Sequence, residues 1–159
     1  MYIFNDYYNN EVKLSFEDHP FSRDPKHVLI LCTYKNQWLL TKHSYRGIEF
    51  PGGKVEKGES AEEAAIREIK EETGGITKVV KYLGQYFVVG KGGNTIKNVY
   101  FADIEDLVEQ STYYETEGPV LLDQLPDNIK HNNLYSFIMK DGVVTNCMNF
   151  LSENWRSLS

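Results

Sequence analysis

Residues 53–75 constrain this chain more than any other stretch, because a glycine-rich turn leads there into a strongly acidic helix. Ser60 is a good N-cap residue, and Glu63 three positions later completes a capping box. Gly74 is a natural residue for the left-handed conformation that follows a helix. These signals predict a helix over residues 61–73, a little more than three turns at about 3.6 residues per turn.

Three acidic residues of this helix fall on one side of it. With about 100° between successive residues, Glu68, Glu71 and Glu72 lie within an arc of roughly 100°. Such like charges destabilise a bare helix by a few tenths of a kcal/mol per pair. A divalent cation would offset the repulsion, because magnesium prefers carboxylate oxygen. The alternative interpretation is a solvated acidic face in which Arg67 pairs with its neighbours.

The stretch resembles the Nudix box, G-x5-E-x7-R-E-U-x-E-E-x-G-U, in which U is apolar. The residues that match it in register are Gly53, Glu59, Arg67, Glu68, Ile69, Glu71, Glu72 and Gly74. Gly75 departs from the pattern, because an apolar residue is usual at that position. We therefore expect the junction between the helix and the next strand to move by one residue, towards Ile76.

The composition limits the class of protein. The chain has 159 residues, 41% of them hydrophobic and 13% aromatic, which indicates one globular domain over residues 1–159. It has no apolar run of the ~20 residues that a membrane span needs and no signal-peptide pattern at its start. Cys32 and Cys147 provide no disulfide framework or metal spacing. We therefore expect a cytoplasmic protein. The net charge of −6 argues against binding duplex DNA, but not against a nucleotide that arrives with its metal.

Apolar periodicity predicts strands on both sides of the helix. Residues 27–34 form a continuous apolar run, typical of a central strand buried on both faces. The other predicted strands are 2–8, 11–17, 37–42, 78–89 and 95–104. Residues 48–50 are expected to lead straight into the glycine turn, and residues 105–118 are predicted to form a loop. Further helices are predicted at 133–140 and 145–158, with Trp155 as a core anchor.

This order of elements favours an α/β fold in which helices cover both faces of a mixed sheet. The family resemblance implies the same architecture, a Nudix-type α/β/α sandwich. The likeness extends beyond the box, since residues 49–56, 82–86 and 137–141 are similar to nucleoside triphosphatases of the mutator type within that family.

The resemblance also implies a set of metal ligands. They are the carboxylates of Glu68, Glu71 and Glu72 and the backbone carbonyl of Gly53, with Glu56 contributing through water. The ions would be Mg²⁺ or Mn²⁺.

Catalytic roles follow from the same resemblance. Glu68 or Glu72 would orient or deprotonate water, and a glutamate from a distant loop would serve as a further ligand or base. We prefer Glu115 to Glu117 for that role, the alternative being that both are ordinary loop acids. Arg67 is expected to orient the box by pairing with carboxylates.

Candidate substrate-binding residues lie outside the helix. Arg46 and Lys54 are candidates for holding phosphate, and each could equally be a surface charge. Tyr86, Phe87 and Tyr7 are candidates for stacking on a base, since aromatic faces stack on bases, with plain strand packing as the alternative. His27 and His43 are expected to be structural or exposed.

The resemblance implies an enzyme that hydrolyses purine nucleoside triphosphates, including oxidised 8-oxo-dGTP, to the monophosphate and pyrophosphate. Its role would be to sanitise the nucleotide pool. One alternative keeps the chemistry and takes the 5′-triphosphate end of RNA as substrate. Another is a nucleotide-sensing module without catalysis, which the intact glutamates Glu68, Glu71 and Glu72 disfavour.

Overall fold

A computed structural model describes residues 1–158 of the chain. Nine strands and two α-helices lie within that range. They are β1 (Tyr2–Asn5), β2 (Glu11–Ser15), β3 (His27–Tyr34), β4 (Gln37–His43), β5 (Gly47–Glu49), β6 (Gly52–Lys54), α1 (Ala61–Thr73), β7 (Gly75–Gly90), β8 (Gly93–Leu107), β9 (Thr116–Leu122) and α2 (Gly142–Leu158). Neither helix of the described part is long and apolar enough to cross a membrane.

The strands form a mixed sheet, as predicted. Its order is β1-β2-β7-β8-β3-β4-β5, with β6 paired to β3 and β9 paired to β4. The parallel pair is β3 and β8, in which His27 lies opposite Lys97 and Thr33 lies opposite Asp103. Strand β3 pairs with β8 along one edge and with β4 and β6 along the other, so it lies at the centre of the sheet.

Strand β3 is buried on both faces, which confirms the interpretation of its apolar run. Val28, Ile30 and Cys32 pack with Ala64, Ala65 and Ile69 of α1. Leu29 and Leu31 point the other way and pack with α2. The period-two alternation of a strand thus divides one continuous apolar run between two cores. One helix covers each face, so the architecture is the predicted α/β/α sandwich.

Helix α1 has the predicted bounds and caps. Ser60 Oγ accepts a hydrogen bond from the Glu63 N–H, and the Glu63 carboxylate accepts one from the Ser60 N–H. Gly74 caps the other end at φ +76°. The expected displacement of the junction is wrong, since β7 begins at Gly75. A Cβ on Gly75 would lie 2.9 Å from Ile69 Cγ2, so packing leaves little room there for the usual apolar side chain.

Two predictions about the second half of the chain are wrong. Residues 133–140 form no α-helix, but a 3-10 turn at Phe137–Met139 that Ser136 caps. Trp155 is 46% exposed and touches Phe101 with its edge, whereas Val143, Cys147 and Leu151 bury the inner face of α2. Polar residues separate the apolar ones at 133–140, and this spacing suits both the predicted α-helix and the 3-10 turn.

The predicted loop at 105–118 is shorter than expected. Strand β8 continues to Leu107, and β9 starts at Thr116 because it pairs with β4, with Trp38 opposite Leu122. The two strands of the opening hairpin are shorter than predicted, since they end at Asn5 and Ser15. Tertiary pairing, which local composition does not report, sets these ends.

A polar network is buried where β7 and β8 pass under the segment before β3. The Gln85 side chain accepts hydrogen bonds from the N–H groups of Phe21 and Ser22 and donates to the Ser22 carbonyl. It also donates to Asn98, which donates in turn to Tyr100 Oη. Both amides are fully buried and satisfied, so they hold that segment on the sheet at little desolvation cost.

Two glycines with positive φ flank α1, Gly58 before it and Gly74 after it, and they differ in the space that a side chain would meet. Gly58 (φ +81°) has open space where a Cβ would be, whereas a Cβ on Gly74 (φ +76°) would fall on the Val108 carbonyl oxygen. Gly58→Ala should lower the melting temperature by about 2–4 °C, since the left-handed conformation costs about 1 kcal/mol. Gly74→Ala should cost at least about twice as much. Equal shifts in thermal unfolding would contradict this account.

Candidate active site

The glycine turn and α1 meet through contacts that exclude larger side chains. Strand β6 places Gly52 opposite Leu29 and Gly53 opposite Val28 of β3. A Cβ on Gly52 would lie 2.5 Å from the Val28 carbonyl oxygen. A Cβ on Gly53 would lie 2.6 Å from the carboxyl carbon of Glu68, so that carboxylate rests directly on the turn. The backbone of β3 therefore leaves no room for a side chain at Gly52, whereas a side chain at Gly53 would displace the Glu68 carboxylate.

Glu72 is the most buried acid of α1, with 8% of its surface exposed. Its carboxylate accepts a hydrogen bond of 3.0 Å from the Gly52 N–H. Burial, followed by the nearby charge of Glu68, raises the pKa of Glu72 to about 9. Burial also raises the pKa of Glu68, against the opposing effect of Arg67. Two carboxyl groups are thus held out of water beside the turn, an arrangement typical of a functional site.

Arg67 connects the remaining acids to the turn. Its guanidinium donates two hydrogen bonds to Glu59, of 2.7 and 3.0 Å, and one of 2.6 Å to Glu68. It donates further to Glu71 at 3.1 Å and to the Lys54 carbonyl at 3.0 Å. The hydrogen bond to Glu59, followed by that to Glu68, raises the pKa of Arg67 above its ordinary value. The hydrogen bond from Arg67 in turn lowers the pKa of Glu59. Arg67 thus pairs with carboxylates, and its orienting role in the site stays a prediction.

The donor chemistry of this cluster suits a hard cation, because every candidate ligand is an oxygen. Within residues 1–158, however, no three histidine, cysteine or acidic side chains are arranged to hold an ion together. Glu68 and Glu71 both accept hydrogen bonds from the Arg67 guanidinium. Glu56 is also close to that guanidinium, at 3.6 Å.

A cleft of about 490 Å³ opens beside these acids. Glu68, Glu72 and the turn form one side of it. The other residues that line it are His27, Val28, Leu29, Arg46, Glu49, Phe50, Lys54, Lys97, Glu115, Phe137 and Ile138. The cleft thus joins carboxylates at one end to several cationic side chains, which is the combination that a metal-bound polyphosphate requires.

The two candidate glutamates at the start of β9 differ in position, since Glu115 precedes the strand and Glu117 lies in it. Glu115 lines the cleft, and its 87% exposed carboxylate lies 3.9 Å from His43 Nε2. Ser44 fixes its backbone by donating to the Glu115 carbonyl. Glu117 instead pairs with Lys42 at 3.6 Å. The position in the cleft therefore favours Glu115 over Glu117, as the sequence analysis did.

The candidate substrate-binding residues divide into two groups. Arg46 and Lys54 line the cleft, and their role in holding phosphate stays a prediction. Tyr86 does not, because it is 5% exposed and packs in the core with α2, so its ring faces are not free to stack on a base. Phe87 points to the opposite face and lies against Phe21. The placements of Tyr86 and Phe87 correct the stacking prediction, and strand packing, the stated alternative, describes both.

Sequence reasoning missed several residues of the cleft. Glu49 is 2% exposed and forms two hydrogen bonds of 2.9 Å with Arg46. Lys97 lies on the same strand face as the buried Val99 and Phe101, and that alternation could have revealed it. His27, which was expected to be structural or exposed, lines the cleft. Phe137 falls in the predicted helix that does not form.

Comparisons with known proteins find relatives of this chain. The sequence pattern of the NUDIX domain matches residues 23–133. The chain is 57% identical over 154 residues to YtkD of Bacillus subtilis (strain 168), which is provisionally named an 8-oxo-dGTP diphosphatase; the match covers 97% of this chain and 98% of YtkD. A shorter match, 53% identical over 52 residues, relates it to the 8-oxo-dGTP diphosphatase of Escherichia coli (strain K12), covering 30% of this chain and 40% of that enzyme.

Solved structures give the same result. A crystal structure of the Bacillus subtilis pyrophosphohydrolase BsRppH superposes with a TM-score of 0.96 at 56% identity, covering 97% of this chain and 98% of that one. A NUDIX hydrolase from Nitrosomonas europaea has a TM-score of 0.64 at 19% identity over 82% of this chain and 90% of its own, which supports the fold alone. Nudix hydrolases generally use divalent metal ions.

The burial of Glu72 predicts a stability that depends on metal. Because its folded pKa is about 9 against an ordinary 4.5, the folded chain keeps at pH 7.5 a proton that the unfolded chain releases. This cost is absent below pH 4.5 and grows as pH rises towards 9, to on the order of a few kcal/mol. In EDTA at pH 7.5, Glu72→Gln should therefore melt at a higher temperature than the wild type.

Magnesium should reverse that order, because ion binding stabilises the folded wild type and the amide of the Glu72→Gln variant supplies no charge to the ion. Glu62→Gln, at an exposed position of the same helix, is the matched control and should follow the wild type in both buffers. If Glu72→Gln and wild type melt at the same temperature with and without magnesium, burial of the Glu72 carboxyl does not lower the stability of the fold, and Glu72 does not bind the ion.

Proposed function

We propose that this chain, which belongs to the Nudix family of hydrolases, cleaves nucleoside triphosphates to the monophosphate and pyrophosphate with the help of Mg²⁺ or Mn²⁺. The observation that carries the proposal is the shared cleft. Glu68 and Glu72 open into the same space as the cationic side chains of Arg46, Lys54 and Lys97. An anionic polyphosphate can contact those cations while a metal bound to it meets the acids.

The ion would be held by the carboxylates of Glu68, Glu71 and Glu72 and by the Gly53 carbonyl, with Glu56 reaching it through water. When bound, it neutralises charge on the phosphates and makes the attacking water more acidic. Binding would replace the contacts that Glu68 and Glu71 now make with Arg67. Arg67 would keep its paired hydrogen bonds to Glu59, and so would continue to fix the turn relative to α1.

The remaining chemistry is the transfer of the nucleotidyl group to water. A water oxygen forms a bond to phosphorus, the phosphoanhydride P–O bond breaks, and pyrophosphate leaves with the electron pair. The proton of the water passes to a carboxylate at the cleft. Glu68 and Glu115 both line the cleft and are the two acceptors we propose. Arg46, itself held by the buried Glu49, would contact the phosphates.

We propose purine nucleotides as substrates, including 8-oxo-dGTP, because the YtkD and Escherichia coli relatives are named for that activity. The chain spans nearly the full length of YtkD, so the comparison covers the cleft as well as the acidic helix. The role would then be to remove oxidised nucleotides from the cytoplasmic pool.

Purified protein with magnesium should release pyrophosphate from GTP and 8-oxo-dGTP. Glu68→Gln and Glu72→Gln should each lower kcat by about 10²–10⁴-fold while the circular dichroism spectrum is kept. Glu115→Gln and the matched Glu117→Gln separate the roles of the two loop acids, since only the first should lower kcat. Full turnover in both Glu68→Gln and Glu72→Gln would overturn the proposed site, and a non-catalytic nucleotide-sensing domain would then fit better.

A second candidate substrate, the 5′-triphosphate end of RNA, is favoured by the surface next to the cleft. Arg46 and Phe137 also line an adjacent hollow with three exposed tyrosines, Tyr7, Tyr8 and Tyr45. Tyr45 is 94% exposed, an unusual position for an aromatic ring. Exposed aromatic faces beside a cationic groove stack on successive bases of single strands.

A comparison of GTP with a short 5′-triphosphate RNA tests this candidate. If RNA is the substrate, Tyr45→Ala should raise KM for the RNA about 5- to 100-fold and leave KM for GTP unchanged. Trp155→Ala removes an exposed aromatic from a different groove, lined by Trp38 and Phe101, and is the matched control. Equal effects of Tyr45→Ala on RNA and GTP would leave free nucleotides as the better substrate.

A further inference from the structure

His43 is a buried side chain that the proposed hydrolysis does not use. It is the last residue of β4, and only 6% of its surface is exposed. Two further strands meet it there, because His43 lies opposite Gly47 of β5 and opposite Thr116 of β9. The imidazole therefore lies between the turn that carries Arg46 and the segment that carries Glu115.

The turn after β4 determines which nitrogen of the His43 ring carries the proton. Nδ1 accepts hydrogen bonds of 3.2 Å from the backbone N–H groups of both Tyr45 and Arg46. A backbone N–H only donates, so Nδ1 must present a lone pair. In a neutral imidazole the other nitrogen then carries the proton, which makes Nε2 a hydrogen-bond donor.

Nε2 of His43 faces the Glu115 carboxylate. The two groups are 3.9 Å apart, which is about 1 Å longer than a hydrogen bond. Among the described residues, Nε2 has no acceptor within hydrogen-bond distance. The Glu115 side chain is 87% exposed, so a rotation of that side chain brings its carboxylate to the waiting donor.

The backbone of Glu115 is already fixed from the same turn. Its carbonyl accepts a hydrogen bond of 3.1 Å from the Ser44 N–H and one of 2.9 Å from Ser44 Oγ. Tyr114, the residue before it, has φ +61°, a conformation that a residue other than glycine keeps only where its surroundings impose it. The main chain thus presents Glu115 at the cleft, and the direction of its side chain is left to be set.

We propose that His43 is a positioning residue of the cleft, which acts on Arg46 through Nδ1 and on Glu115 through Nε2–H. Glu49 fixes the guanidinium of Arg46, whereas Nδ1 fixes its backbone. Nε2–H directs the Glu115 carboxylate, one of the two proposed proton acceptors, within the cleft. One ring thus sets the position of a phosphate-binding cation relative to a proton acceptor. This inference rests on the proposed function, because both partners belong to the proposed site.

Two amide substitutions separate the roles of the two ring nitrogens. Asparagine places its carbonyl oxygen where Nδ1 lies, so His43→Asn keeps the acceptor for the turn and loses the donor. Glutamine is one carbon longer and places its amide nitrogen where Nε2 lies, so His43→Gln keeps the donor and loses the acceptor. With GTP, His43→Asn should lower kcat about 5- to 50-fold and change KM less than about threefold. His43→Gln should raise KM about 5- to 50-fold and change kcat less than about threefold.

Combined variants test whether His43 acts through Glu115. In a Glu115→Gln background, His43→Asn should lower kcat no further, because residues that act as a unit are not additive. Lys42→Met removes the partner of Glu117 on the same strand, and this matched control should change neither constant. If His43→Asn and His43→Gln change kcat and KM alike, or if His43→Asn and Glu115→Gln act independently, the proposal is wrong.

Nitrogen-15 NMR of the wild-type protein separates this inference from the proposed function, because it needs no substrate. At about pH 8, where an ordinary histidine is neutral, Nδ1 of His43 should give the signal of an unprotonated nitrogen and Nε2 that of a protonated one. Their absence in His43→Asn assigns both signals. Glu115→Gln should shift the Nε2 signal and leave that of Nδ1 unchanged.

The two readouts fail separately. If no triphosphate is hydrolysed but the expected tautomer and the response to Glu115→Gln are found, the proposed activity fails while the positioning role of His43 stands. If triphosphates are hydrolysed but Nδ1 carries the proton, or Nε2 does not respond to Glu115→Gln, the activity stands and the proposal for His43 is overturned.

Discussion

The ionic contacts of Arg67 are the interaction on which the site depends. One guanidinium meets Glu59, Glu68 and Glu71, and also the carbonyl of Lys54 at the end of the glycine turn. Three negative charges on or before one helix would otherwise repel each other and splay the turn away from α1. Because these contacts are only partly exposed, water screens them weakly, and they add more than a surface ion pair would. Arg67 therefore holds these acids beside the turn, although no three of them in residues 1–158 are arranged to hold an ion together.

The glycines complete this arrangement from the opposite side. Gly52 fits against the backbone of β3, and Gly53 leaves room for the Glu68 carboxylate. The helix is thus packed on the sheet through alanines and reaches the turn through carboxylates. The alanines pack α1 densely on the sheet, and the carboxylates follow on its next turns. The packing of the alanines thus keeps the carboxylates in a fixed position.

Much of this could be predicted from the sequence, because local signals specified it. The caps at Ser60 and Gly74 fixed the bounds of α1, and the apolar run of β3 indicated a strand with two buried faces. The rest depends on contacts between distant parts of the chain. Lys97 resembles any lysine in an alternating strand until β8 is paired with β3, and Tyr86 resembles a stacking residue until α2 covers it. The apolar spacing around Phe137 suits a short turn as well as a helix, so local pattern alone does not distinguish them.

The parallel pairing of β3 with β8 also has a consequence for how the protein is assembled. Thr33 and Asp103, which share a hydrogen bond across that pair, are 70 positions apart in the chain. A contact of such long range closes slowly, because the intervening loop must give up its conformational entropy first. The helix can acquire its capped form early from neighbouring residues alone, whereas β3 and β8, which both line the cleft, meet only when the sheet closes. The cleft should therefore form late in refolding, after most of the helical signal has been recovered.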